Sequence, residues 1–189
     1  TFKPAVMQAV LDLGADIIND IRALGQPGAV EVVSRHPSCG ICLMHMHRDP
    51  LTMQVLPMQG DAVPSVRTFL SQAAARATLA GVAHGRIVLD PGIGFGKTVA
   101  QNFSLLARQG ELLAAGFPLL VGWSRKSSLG AVIATQGLAV EPGSRLAASV
   151  AAAVLAVDRG AAVVRVHDVR ETVQALAVWC AMGEQSAPE

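Results

Sequence analysis

Tyrosine is absent from these 189 residues, and only two Trp and five Phe supply aromatic surface. So sparse a set offers no platform on which successive bases of a single-stranded nucleic acid could stack. Charge of one sign is equally scarce. The formal net charge is +1 with no acidic or basic run, which argues against a nucleic-acid partner and a charged tail. Only Cys39, Cys42 and Cys180 are present, an odd, thin set that fits a reducing compartment better than a disulfide framework. Cys39 and Cys42 form a C-x-x-C, but they lead into a strand-like run, whereas a thioredoxin-type pair opens a helix; both read as buried thiols. No second pair completes a zinc site. The longest apolar stretch, Leu146 to Val157, falls short of the ~20 residues a bilayer span needs, and Asp158 and Arg159 close it. With no signal peptide visible, a cytoplasmic protein without a membrane partner is expected.

What is abundant is aliphatic: 51% of residues are hydrophobic and mean hydropathy is +0.43. Five short runs stand out, at Asp16–Asp20, Gly40–His45, Arg86–Asp90, Pro118–Ser124 and Ala162–His167. Each is almost continuously apolar, as strands covered on both faces are. Helical stretches are expected at Pro4–Leu13, Asp61–Ala80, Asn102–Ala115, Gly143–Asp158 and Asp168–Met182, several followed by glycine. Strand alternating with helix means a parallel α/β fold. Polar residues gather at the end of every strand, which favours a (β/α)8 TIM barrel over an open sheet that uses only its switch-point loops. Residues 1–182 are expected to form the last five βα units of one barrel domain, with a polar tail at 183–189. Five strands cannot close that ring, so three N-terminal units are expected to be missing.

The densest segment is Leu89-Asp-Pro-Gly-Ile-Gly-Phe-Gly-Lys-Thr98. Its glycines at 92, 94 and 96 fit neither a Walker A loop nor the dinucleotide fingerprint. What remains is an acid, Asp90, at a strand end, followed by a turn able to approach a ligand closely. Ser124, Arg125 and Lys126 after the fourth run could hold an anion or carboxylate. Arg165 and His167, two apart on a strand, should share a face and suit phosphate or pyrophosphate, with a buried Arg–Asp pair as the structural alternative. His45 and His47 repeat that spacing, but no acid lies at the neighbouring same-face position, so a metal pair is not expected.

Six segments together resemble dihydropteroate synthase: Thr1-Phe-Lys-Pro4, Ile17-Ile-Asn-Asp-Ile-Arg22, Cys42-Leu-Met-His-Met46 with Thr52-Met-Gln54, Leu89 to Lys97, Leu119-Leu-Val-Gly-Trp-Ser-Arg-Lys-Ser127 and Val164-Arg-Val-His-Asp-Val169. They run in order from residue 1 to about residue 180. The resemblance implies a transferase of folate biosynthesis and a target class of sulfonamides. It would condense 6-hydroxymethyl-7,8-dihydropterin pyrophosphate with p-aminobenzoate, Mg²⁺ being present, as a homodimer. By position Asn19 and Asp90 would bond the pterin ring with Lys126 beside it, and Met46 and Phe95 would line its pocket. Gly122, Ser124 and Lys126 would lie near the substrates, and Arg165 and His167 would hold the pyrophosphate. Lys126, Asp90, Arg165 and His167 are thus the catalytic candidates.

The family's first strand, with an Asn associated with Mg²⁺, and its mobile N-terminal loops have no counterpart here. The principal metal ligand is therefore expected in the absent part, none in this chain, and the chain alone is not expected to be competent. Three rival readings stand beside this one. A pterin-binding methyltransferase acting on a corrinoid would need no Ser-Arg-Lys anion site. A metal-dependent barrel hydrolase would use His45 and His47. A silent fragment or paralogue would act as a structural partner.

Overall fold

The computed structural model describes residues 1–49, 53 and 55–185. The opening helix α1 (Pro4–Asp12) has Pro at its first position, where the missing N–H has no helical partner in any case. It leads into β1 (Ile17–Asp20), α2 (Ala29–Arg35) and β2 (Gly40–Met44). Next comes the long helix α3 (Ala62–Leu79), whose Asp61 cap accepts from the Val63 N–H at 3.0 Å. β3 (Ile87–Asp90), α4 (Val99–Ala107), the single turn α5 (Gly110–Leu113) and β4 (Leu119–Val121) follow. The chain ends with α6 (Ser127–Ala134), α7 (Leu146–Asp158), β5 (Ala161–Val164) and α8 (Val169–Gln185).

All five strands are parallel and hydrogen-bonded in sequence order, β1-β2-β3-β4-β5. A doubly wound sheet would reverse its order at a switch point; this one does not. The fold is five consecutive strands of a (β/α)8 barrel, as the strand-end pattern predicts. Ile41, Leu43, Ile87, Leu89 and Leu119 are buried to 2% exposure or less, packed with Val66, Leu70 and Leu105 of the helices.

Several boundaries depart from the expectations. Two helices, α2 and α6, appear where the periodicity reading placed none. α4 starts at Val99, three residues early, because Thr98 and Gln101 form a capping box. The stretch 102–115 breaks after Ala107; Gln109 is buried and its amide donates to the carbonyls of Ala156 and Arg159 at 2.9 and 3.0 Å, at the end of α7. Pro142–Arg145 is a 3₁₀ turn preceding α7. α8 continues three residues into the segment read as a tail. Two of the residues matched at Thr52-Met-Gln54, Thr52 and Gln54, lie outside the described residues, as do 186–189.

Candidate functional site

At the carboxyl ends of the strands lies a cavity of about 580 Å³. Each strand exit contributes. Asn19 and Ile21 come from β1, Met44 from β2, and Asp90, Ile93 and Phe95 from β3 and its glycine loop. Leu120, Gly122, Ser124, Arg125 and Lys126 follow from β4, and Arg165 and His167 from β5. Eight of the nine residues picked out by resemblance therefore meet in one place. The ninth, Met46, does not. It lines a smaller neighbouring hollow with Arg22, Arg48 and Phe69, and Met44 takes the place in the main cavity. β2 ends at Met44, so the two-residue period that would have carried Met46 inward stops there.

Asp90 closes β3 at 7% exposure, and its Oδ1 accepts from the Gly92 N–H at 2.7 Å. Burial raises its pKa to about 6, against the pull of that N–H and of Lys126, Lys97 and Arg165. The loop beyond it turns back hard against β2. Gly92 has φ +68°, and a Cβ there would strike the His45 carbonyl. Only glycine combines that left-handed backbone with so close an approach.

Lys97, which sequence reasoning passed over, anchors this loop. It is buried, and its Nζ donates to the carbonyls of Gly92, Phe95 and His45 at 2.9, 3.2 and 3.4 Å. Burial pushes its pKa down to about 7, with Asp90 opposing. A cation closing the glycine-rich segment, between Gly96 and Thr98, was the available signal, but nothing local told which groups it would meet.

Lys126 reaches back over the same loop. Its Nζ lies 4.3 Å from the centroid of the Phe95 ring, a cation–π contact. Burial lowers its pKa, and Asp90 opposes that. The preceding Arg125 has φ +59°, uncommon for a residue with a side chain. It is held on three sides: its N–H donates to Ser149 Oγ at 2.9 Å, its carbonyl accepts from Arg145 at 2.9 Å, and its guanidinium pairs with Asp168 at 2.7 Å. The Arg–Asp pair weighed for Arg165 is thus formed by Arg125 instead, leaving Arg165 lining the cavity.

Arg165 and His167 lie just past β5, which ends at Val164. They share the cavity through the exit loop, not through strand alternation. Ser124 Oγ sits 2.9 Å from His167 Nδ1 and accepts from the His167 backbone N–H at 3.1 Å, which locks the ring to the β4 exit.

Two other strand-end residues turn away. Asp20 is buried and its carboxylate accepts from the N–H groups of Arg22 and Leu24, both at 2.8 Å. His45 packs edge-on against Phe69 at 4.9 Å, and burial with the nearby Lys97 and His47 drives its pKa to about 3. Among the described residues no three His, Cys, Asp or Glu side chains gather as a metal site. Cys39 and Cys42 are buried free thiols, and burial raises the Cys42 pKa well beyond its ordinary value.

A deep polar cavity at the carboxyl ends of a parallel barrel sheet, with a buried carboxylate among cations, defines a barrel-type small-molecule site. Residues 1–167 match the family described as pterin binding enzyme. The dihydropteroate synthase of Escherichia coli (strain K12) is 46% identical over 178 residues, which is 94% of this chain and 61% of that protein. The crystal structure of the Yersinia pestis dihydropteroate synthase with a sulfonamide drug complex superposes with a TM-score of 0.91 at 42% identity, covering 97% of this chain and 65% of that one. Burkholderia cenocepacia dihydropteroate synthase complexed with 7,8-dihydropteroate gives 0.88 at 50% identity, covering 98% and 67%. The chain belongs to the pterin binding enzyme family, and it spans about 61% of the length of its E. coli relative.

Proposed function

We propose that this chain carries the pterin and pyrophosphate side of a dihydropteroate synthase site. The observation that carries the reading is Asp90: a buried carboxylate at a strand end, with Lys126 and Arg165 in the same cavity. A pterin presents a guanidine-like edge of N–H donors, which a desolvated carboxylate accepts in two parallel bonds. Asn19 adds amide bonding, and Met44, Ile21 and Phe95 offer the apolar and aromatic surface a flat ring needs. The Burkholderia relative holds 7,8-dihydropteroate, the expected product.

In the reaction, the bond between the pterin methylene and the pyrophosphate oxygen breaks, and its electron pair leaves with pyrophosphate. The amine nitrogen of p-aminobenzoate bonds to the methylene and gives up one proton to the departing pyrophosphate or to water. Arg165 and His167, preset beside the cavity, stabilise the charge that develops on the leaving group. Lys126 and Ser124 border the space left for p-aminobenzoate. No protein nucleophile is required. Mg²⁺ is the cofactor the resemblance implies; among the described residues no three His, Cys, Asp or Glu side chains gather to hold it.

Leu146 and Leu155 on α7, 39% and 44% exposed, border an apolar groove with Val150 and Val154. A second copy of the chain would cover it. No helix among the described residues is long and apolar enough to cross a membrane, and the free thiols suit the cytoplasm.

Pyrophosphate release from the pterin substrate, dependent on p-aminobenzoate, tests the proposal. Lys126→Ala should lower turnover at least about tenfold while the thermal transition stays intact. No release by the complete wild-type enzyme would refute it, and loss of the transition in the variant would make Lys126 structural.

A further inference from the structure

Two buried side chains grip the glycine loop from opposite sides. Lys97 ties it to the exit of β2. Asn102, on the first turn of α4, ties it the other way. Asn102 is fully buried, and its Oδ1 accepts from the Gly94 N–H at 2.9 Å. Its Nδ2 donates to Ser128 Oγ at 2.9 Å and to the Lys97 carbonyl at 3.4 Å. The amide orientation follows from its partners: turned over, its NH₂ would face the Gly94 donor and its oxygen the Lys97 carbonyl. Ser128 is the second residue of α6, two positions after Lys126. One planar group therefore joins the loop that carries Asp90 and Phe95 to the helix start that carries Lys126.

The tolerance at that junction is small. The Lys126 stem lies against Gly94, where a Cβ would come within 3.2 Å of Cδ. Its Nζ stands over the Phe95 ring. A slip of one loop past the other would change where the ammonium points, with the pterin-facing carboxylate left in place. Asn102 makes none of its side-chain bonds to its own helix. All three join the loop and the α6 entrance. That is the pattern of a latch between loops, since an apolar residue could have filled the same volume.

We propose that Asn102 is a positioning residue: through Gly94 and Ser128 it sets Lys126 over the Phe95 shelf. The inference rests on the reading of Lys126 as part of the substrate site. Two variants of the complete enzyme test it, Asn102→Ala and Ser128→Ala. Amide hydrogen exchange at Gly94 needs no substrate and should speed up about tenfold when its acceptor is removed or unanchored. Turnover should fall about tenfold while KM for the pterin pyrophosphate stays within about twofold, because Asn19, Asp90 and Met44 are untouched. Equal Gly94 exchange in wild type and variant overturns the latch. Faster exchange with unchanged turnover overturns it too, since Asn102 would then be structural only. Should Asn102→Ala fail to fold, Ser128→Ala supplies both readouts. If the complete wild-type enzyme releases no pyrophosphate, the proposed function falls. The latch is then decided by Gly94 exchange together with the affinity for p-aminobenzoate, whose space Lys126 borders and which both variants should weaken.

Discussion

Asp90 shows how one side chain can bind its two tasks to opposite pH trends. Its pKa is raised to about 6 by burial. In the unfolded chain it would titrate near its ordinary 3.8. The sign follows directly: a raised carboxyl contributes most stability below pH 4 and loses it as pH climbs through 6. The cost of carrying the buried carboxylate at neutral pH is on the order of 3 kcal/mol. Ligand affinity should run the other way. Below pH 6 the carboxyl takes up a proton and loses an acceptor position for the pterin edge. Calorimetry with the pterin substrate between pH 5 and 8 should therefore show weaker binding at the acid end. Asp90→Asn should bind weakly throughout and flatten the profile. An unchanged profile in that variant would assign the titration to another group. The residue scale also marks a limit on motif reading. Met46 sits in the matched segment, yet Met44 reaches the cavity, because a two-residue period holds only while the strand lasts.

Among the elements, the β3–α4 connection carries most of the site and most of its constraint. Its three glycines, at φ +68°, +82° and +72° for Gly92, Gly94 and Gly96, let the chain fold back onto the exit of β2. Lys97 and Asn102 then fasten it on both sides. Gly92→Ala should be severely destabilising. The left-handed backbone alone costs about 1–2 kcal/mol with a Cβ, and that Cβ would also meet the His45 carbonyl, which is backbone and cannot swing aside. Chemical denaturation of the variant would measure the loss, and a change under 1 kcal/mol would show that the loop relaxes. Glycine spacing alone excluded the two familiar phosphate loops but left open what this loop does. The buried partners fix its position: Asn102 bonds groups 5, 8 and 26 positions away, and Lys97 bonds groups 2, 5 and 52 positions away.

At the scale of the whole molecule, the sheet gathers one polar cavity at one end and leaves an apolar helix surface on the flank. Leu146 to Val157 is more hydrophobic than a solvent-facing helix, which suits a contact with another chain. An apolar groove runs along α7 beside α8, with Ala175 as part of its wall. If a second copy covers that groove, Leu155→Asp should shift the chain from dimer to monomer in sedimentation or light scattering while the cavity residues remain in place. A wild-type chain that is monomeric at tens of micromolar would remove the dimer from the reading.

Local order determined a good deal by itself. Continuous aliphatic runs between helical stretches point to a parallel α/β sheet, although the expected cover on both faces fails at β1 and β5, where Ile17 and Val163 are 63% and 45% exposed. The polar residues closing those runs, Asn19, Asp90, Ser124, Lys126, Arg165 and His167, could be placed at one end of that sheet without any coordinates, because parallel strands all exit on the same side. Packing decided the rest. Which strand-end side chains turn inward depends on where each strand stops, as Met44 and Met46 show. Which acid answers which cation depends on loops meeting across the barrel end, as Arg125 pairing with Asp168 shows. Those outcomes rest on hydrogen bonds between residues 20 to 50 positions apart, and neither periodicity nor motif spacing carries information over that range.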